Sequence, residues 1–171
     1  MKNIQIRKGK LSDAQKLLEF FKKVGVETDF LMMDENGVGM TLEQEIDHLK
    51  QYDNPKSGLY LVATNENGEI VGQSAITQDY PTRKKAEHIY SFGIAILKDY
   101  WNQGIASQMM EQLINHAKQI GVGRLDLFVI TENARAINLY KKFGFEIEGT
   151  LKKCNKVGDT YQDEYIMALI F

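Results

Sequence analysis

The sequence is short of proline and cysteine. Its two prolines, Pro55 and Pro81, lie well inside a chain of 171 residues. Neither a Pro-rich nor a Gly/Ser-rich linker divides the chain. The single cysteine, Cys154, excludes an intrachain disulfide. It suits a reducing, cytoplasmic compartment. No apolar run approaches the ~20 residues of a membrane span, so no membrane partner is expected. The opening MKNIQIRKGKLSDAQ has no apolar stretch of the kind a secretory signal carries. Excess positive charge is also missing: the net charge is −2, with no basic stripe interleaved with aromatics, which argues against nucleic-acid binding.

What is present is ordinary globular composition, 43% hydrophobic and 26% charged, with no repeat and no low-complexity tract. One domain over 1–171 follows, large enough to stand without disulfides or metal. Charge is unevenly spread. Between Glu27 and Asp53 there are eight acids against one base, Lys50. This segment reads as a solvated acidic face or as a rim that draws a cationic acceptor.

Residue periodicity predicts the elements. Strands are expected at 3–7, 59–64, 69–78, 87–97, 124–130, 145–149 and 161–171, with a hairpin turn at Glu66-Asn67-Gly68. Ser12 with Gln15, and Thr41 with Gln44, carry capping-box signatures for two helices, the first ending at Gly25 and the second near Gln51. A third helix runs from Gly104 to about Ile120, where Ile105, Met109, Leu113 and Ala117 form one buried stripe. A fourth begins at Asn133 and stops at Gly144. Hairpins and helical crossovers together predict a mixed, mostly antiparallel sheet of about seven strands flanked by about four helices.

Chemistry concentrates in two stretches. Asp99-Tyr100-Trp101-Asn102-Gln103-Gly104-Ile105-Ala106-Ser107 joins the 87–97 strand to the third helix. Small residues at a helix start leave main-chain N–H groups and the helix dipole open to an anion. The loop is neither a Walker A loop nor a Rossmann fingerprint. The second stretch, Asn133-Ala134-Arg135-Ala136-Ile137-Asn138-Leu139-Tyr140, continues through Lys141-Lys142-Phe143-Gly144-Phe145.

With Ile94-Ala95-Ile96 before the first stretch, these motifs resemble those of the Gcn5-related N-acetyltransferase (GNAT) family. The element order matches along the whole chain. One departure stands out: Trp101 occupies the place, three residues before the glycine, where the family pattern has Arg or Gln. The resemblance implies an acyl-CoA N-acyltransferase fold with a splayed strand pair. It implies acetyl-CoA as donor and a small-molecule or peptide amine as acceptor; no metal is expected, since His48 and His116 lie on predicted helices without ligand spacing. Ile94, Ala95 and Ile96 would pair with pantetheine, with Gly93 as a bulge point. The backbone of Asn102, Gln103, Gly104, Ile105, Ala106 and Ser107 would hold the pyrophosphate, with Trp101, Asn133, Ala136 and Tyr140 completing the cofactor site. Tyr140 would protonate the leaving thiolate, and His88, Glu87 or a water relay would act as base. Glu27 and Asp29 would bind a cationic acceptor such as a polyamine, an aminoglycoside or a peptide amine. A non-catalytic acyl-CoA sensor on the same fold is the alternative, and a homodimer through exposed strand edges stays open.

Overall fold

A computed structural model of the chain describes residues 3–171; Met1 and Lys2, part of the expected 1–171 domain, lie outside the described residues. Its sheet has seven strands in the order β1-β2-β3-β4-β5-β7-β6. They are β1 (Gln5–Lys8), β2 (Gly58–Thr64), β3 (Ile70–Gln78), β4 (Ile89–Ile96), β5 (Arg124–Ile130), β6 (Glu146–Val157) and β7 (Thr160–Ile170). Four α-helices accompany them: α1 (Ala14–Glu27), α2 (Leu42–Lys50), α3 (Ile105–Ile120) and α4 (Ala134–Lys142). This is the mixed, mostly antiparallel architecture that the sequence predicts. No described helix is long and apolar enough to cross a membrane.

The sheet separates two apolar cores. On one face Met109, Met110, Leu113 and Ala117 of α3 pack with Ile137 and Tyr140 of α4 against Phe92, Leu125 and Leu127. The methionines are core filler, as the helical stripe predicts. On the other face Leu17, Phe20 and Val24 of α1 and Leu49 of α2 pack over Tyr60, Val62 and Ala75.

Several boundaries differ from the sequence reading, each for a physical reason. Asp13, not Ser12, organises the start of α1. Its carboxylate accepts the Lys10 N–H at 2.8 Å and a two-pronged Arg7 guanidinium at 2.7 and 2.8 Å. Gly25 does not end α1; it lets the helix pass the 31–40 loop, since a Cβ there would stand 2.3 Å from the Asp34 carbonyl oxygen. Thr41 and Gln44 do form the expected capping box. β6 extends to Val157 through a lysine-rich run that looks like loop by composition. As an edge strand it tolerates those charges, which also blunt it against pairing with other chains.

One pairing is cut short, and it makes the site. β4 and β5 are the parallel pair, and they stay in register only for Ile89–Ser91 against Arg124–Asp126. β4 remains paired with β3 from Tyr90 to Ile96, and β5 with β7 along its whole length. From Phe92 onward the two halves of the sheet therefore diverge. Gly93 is not a bulge: the β3–β4 register runs unbroken through Gly93 opposite Ala75.

Candidate active site

The divergence of β4 and β5 opens a cleft of about 430 Å³. Its wall on the β4 side is main chain. Leu97 N–H donates to Val71 on the neighbouring strand β3. Strand alternation then turns the backbone groups of Ala95 and Gly93 toward β3, and those of Ile94 and Ile96 into the gap. An extended, amide-rich ligand finds a strand edge there.

The end of β4 leads into a one-turn helix, Lys98–Tyr100, and then a tight loop. Asn102 and Gly104 both adopt positive φ, 59° and 78°. Glycine takes this conformation without a Cβ penalty, so Gly104 caps α3 in a left-handed turn. Gln108 N–H is the first to reach back to Gly104. The N–H groups of Ile105, Ala106 and Ser107 precede it and lack intrahelical partners. The first turn of α3 carries no acid, so the positive end of the helix dipole is uncancelled. These amides suit a phosphate.

Two contacts brace the loop. Glu27, at the end of α1, accepts the Lys98 N–H at 2.7 Å. The Trp101 indole N–H donates to the Ile96 carbonyl at 2.7 Å. The Arg135 guanidinium lies over the Trp101 ring, 3.3 Å from its centroid. A cation therefore stands at the cleft although residue 101 itself is neutral; burial holds the Arg135 pKa below its ordinary value. Sequence reading passed over Arg135. The signal was its place in the first turn of the second motif's helix.

Tyr140 lines the same cleft and is 6% exposed. Its ring is fixed edge-on to Phe92, with centroids 5.9 Å apart, and against Phe145. Burial pushes its hydroxyl pKa far up, so the group stays protonated at neutral pH. Asn133 accepts the Ala136 N–H at 3.2 Å and caps α4 while lining the cleft. The structure thus brings together Ile94, Ala95, Ile96, Trp101–Ser107, Asn133, Ala136 and Tyr140 at one cleft.

It does not bring Glu87 or His88 there. Both are exposed and precede β4, whose first residue is Ile89. The His88 carbonyl accepts the Gly123 and Arg124 N–H groups, which ties it to the closed end of the β4–β5 pair. The gap opens only at Phe92, roughly 13 Å further along an extended strand. Glu87 and His88 are therefore corrected as bases of this cleft. Glu27 is committed to the Lys98 N–H, and Asp29 is exposed outside the cleft lining. Neither acid faces the cavity. Among the described residues no cluster of three or more metal-ligating side chains occurs.

A second hollow of about 260 Å³ meets the first at Phe92 and Gly93. It lies on the α2 side of the sheet and is walled by His48, Tyr52 and Tyr60, whose rings pack mutually edge-on at 5.2–5.9 Å. Gln73, Thr77 and Ser91 add neutral polar groups, and Glu45 is its one carboxyl group. No sequence signal marked this hollow, because residues from α2, β2, β3 and β4 assemble it.

Comparison with known proteins agrees with this geometry. The model of the acetyltransferase (GNAT) family matches residues 15–145. An acetyltransferase of the GNAT family from Streptococcus pneumoniae superposes with a TM-score of 0.91 at 34% identity, covering 99% of this chain and 100% of that one. The yncA protein of Salmonella typhimurium, solved with its cofactor acetyl-CoA, superposes with a TM-score of 0.82 at 16% identity over 98% and 94% of the two chains, a likeness of fold. The L-amino acid N-acetyltransferase AaaT of Escherichia coli K12 is 39% identical over 105 residues, which span 61% of this chain and 64% of AaaT.

Proposed function

Because this chain belongs to the acetyltransferase (GNAT) family, we propose that it transfers an acetyl group from acetyl-CoA to a primary amine, and that the acceptor is small, with an apolar or aromatic body. The observation that carries the reading is the junction at Phe92 and Gly93. There a cleft suited to acetyl-CoA meets a separate hollow through which an amine can approach.

The residues present fit the donor. The amides of Ile105, Ala106 and Ser107, with Arg135 nearby, hold the pyrophosphate. The backbone of Ile94 and Ile96 pairs with pantetheine. Acetyl-CoA supplies the acetyl group as an activated thioester. An N–H of β4 facing the gap steadies the oxygen that becomes negative during attack. Tyr140, kept protonated by burial, donates to the departing sulfur.

Acceptor class follows from the second hollow. Its aromatic walls and single carboxyl group suit one cationic nitrogen on an apolar frame, and its 260 Å³ suits a small molecule. A polyamine or aminoglycoside would bring several cations to a hollow that offers a single carboxyl group to pair them. The name of AaaT, an L-amino acid N-acetyltransferase, supports a small acceptor as well. We place the protein in the cytoplasm, in keeping with its lone cysteine.

Free-thiol release from acetyl-CoA, measured over a panel of aromatic amines, amino acids, polyamines, aminoglycosides and peptides, tests the reading. Turnover with small aromatic or apolar amines is expected. Turnover only with polyamines or aminoglycosides would overturn the acceptor class. Acetyl-CoA binding without thiol release from any amine would favour a sensor.

A further inference from the structure

α2 is polar by composition, and its acids read from sequence as a solvated face or as a rim for a cationic acceptor. Glu45 departs from that pattern. It is 1% exposed, and among the described residues its Oε1 has no hydrogen-bond partner. A buried carboxyl group in this condition costs stability. It lines the hollow that joins the acetyl-CoA cleft at Gly93. A Cβ on Gly93 would meet nothing within 4 Å, so the junction is open space.

We propose that Glu45 is the group that receives the acceptor's ammonium and takes its proton. The inference rests on the acetyltransferase reading above and names a base for that same site. The ammonium R–NH3⁺ passes one proton to the Glu45 carboxylate, leaving R–NH2. The nitrogen lone pair forms the C–N bond to the thioester carbon as the C–S bond breaks. Tyr140 gives its proton to the departing sulfur, and the second proton lost by nitrogen returns through solvent to the tyrosine. Glu45 then releases its proton to water, so one acetyl amide, one CoA thiol and one proton leave.

The surroundings favour this role. Burial pushes the Glu45 pKa up to about 7, the range a general base needs at neutral pH. The titratable groups facing it are His48 on its own helix, Tyr52 just beyond, and Tyr60 on β2. Asp13 acts on Tyr60, and Asp79 acts on Tyr52. Burial lowers the His48 pKa and raises those of both tyrosines. The His48 Nδ1 is also engaged with Gln51 Nε2 at 2.7 Å. An unpaired buried carboxylate is unfavourable to the fold, and an ammonium is the partner it lacks.

The experiment compares wild type, Glu45→Gln and His48→Gln in three readouts. The first is kcat/KM against pH with an amine that wild type acetylates. Glu45→Gln should lower kcat/KM about 100-fold and erase the inflection near pH 7, with acetyl-CoA affinity unchanged. His48→Gln should keep the inflection. The second is thermal unfolding without ligands. Because the folded-state pKa is raised, Glu45 weakens the fold above pH 7, and that penalty vanishes below the unfolded pKa near 4.5. Glu45→Gln should therefore raise Tm by roughly 5 °C at pH 8 and leave it unchanged below about pH 4. The third is the Tm shift produced by benzylamine in the presence of CoA, expected in wild type and absent in Glu45→Gln. Retained turnover with an intact inflection in Glu45→Gln, or an inflection lost in His48→Gln instead, overturns the proposal. If wild type acetylates no amine, a benzylamine shift that depends on Glu45 keeps its ammonium site, while the acetyltransferase reading and the proton step both fall. Absence of both signals removes the proposal and that reading together.

Discussion

The Arg135 guanidinium lies 3.3 Å from the centroid of the Trp101 ring, and the same indole donates its N–H to the Ile96 carbonyl at 2.7 Å. One side chain thus ties the end of β4 to the loop before α3 and carries a cation from α4. Stacking on an aromatic face is worth about 1 kcal/mol, and a hydrogen bond of this kind about as much. Trp101→Ala should raise the acetyl-CoA Kd by roughly twentyfold, read by calorimetry. Trp101→Phe keeps a ring beneath Arg135 and loses only the indole N–H, so its loss should be about fivefold. Equal losses would show that the ring contributes nothing to binding.

As the proposed acid, Tyr140 offers a way to separate binding from chemistry. Its ring packs between Phe92 and Phe145. Tyr140→Phe preserves that packing. It should lower kcat about 100-fold, the usual worth of a positioned acid, and leave the acetyl-CoA Kd within about threefold. A parallel fall in affinity would make Tyr140 a packing residue of the cleft.

Gly93 marks the junction of the two hollows. It has no positive φ and no neighbour within 4 Å of an added Cβ. Gly93→Val should therefore fold normally, with Tm within about 2 °C of wild type. The branched side chain would stand between donor and acceptor. kcat/KM for the amine should fall by at least about tenfold, since a misplaced reacting pair is costly. Thermal unfolding and steady-state kinetics on one preparation check both halves of the claim.

The cleft proposed for the donor was legible because the residues that form it are local in sequence. Gly104, Ala106 and the start of α3 announce unpaired amides without any knowledge of tertiary contacts. Ile94 and Ile96 follow from the resemblance to the GNAT motifs, and strand alternation in the structure turns their backbone groups into the gap. The hollow proposed for the acceptor was not legible. His48, Tyr52 and Tyr60 meet only when α2 packs on β2, and Glu45 is buried by that same packing. In sequence it is one acid among eight between Glu27 and Asp53. His88 failed as a candidate for a related reason. Its chain position beside β4 is plain, but the residue at which β4 leaves β5 is set by strand pairing, and that point lies beyond Ser91. The long β6 was missed because edge strands do not need the alternating apolar pattern that marks internal ones.

The turn into α1 depends on one carboxyl group. Asp13 is 5% exposed, accepts both Arg7 nitrogens at 2.7 and 2.8 Å, and also accepts the Lys10 N–H. The Arg7 hydrogen bonds hold its pKa below the ordinary aspartate value, against the opposing effect of burial. A depressed carboxylate pKa adds stability that is present above the unfolded value near 3.8 and lost as pH falls through the lower folded value. Asp13→Asn leaves Arg7 half-buried without its partner and should cost about 3 kcal/mol at neutral pH. For a domain of this size that corresponds to a Tm roughly 10 °C lower. The gap between wild type and variant should hold steady from about pH 5 to 8 and close below about pH 4, where the wild-type carboxyl group also becomes neutral. Scanning calorimetry across that range measures it. A gap that stays constant into acid would mean that Asp13 acts through shape and hydrogen bonding rather than charge.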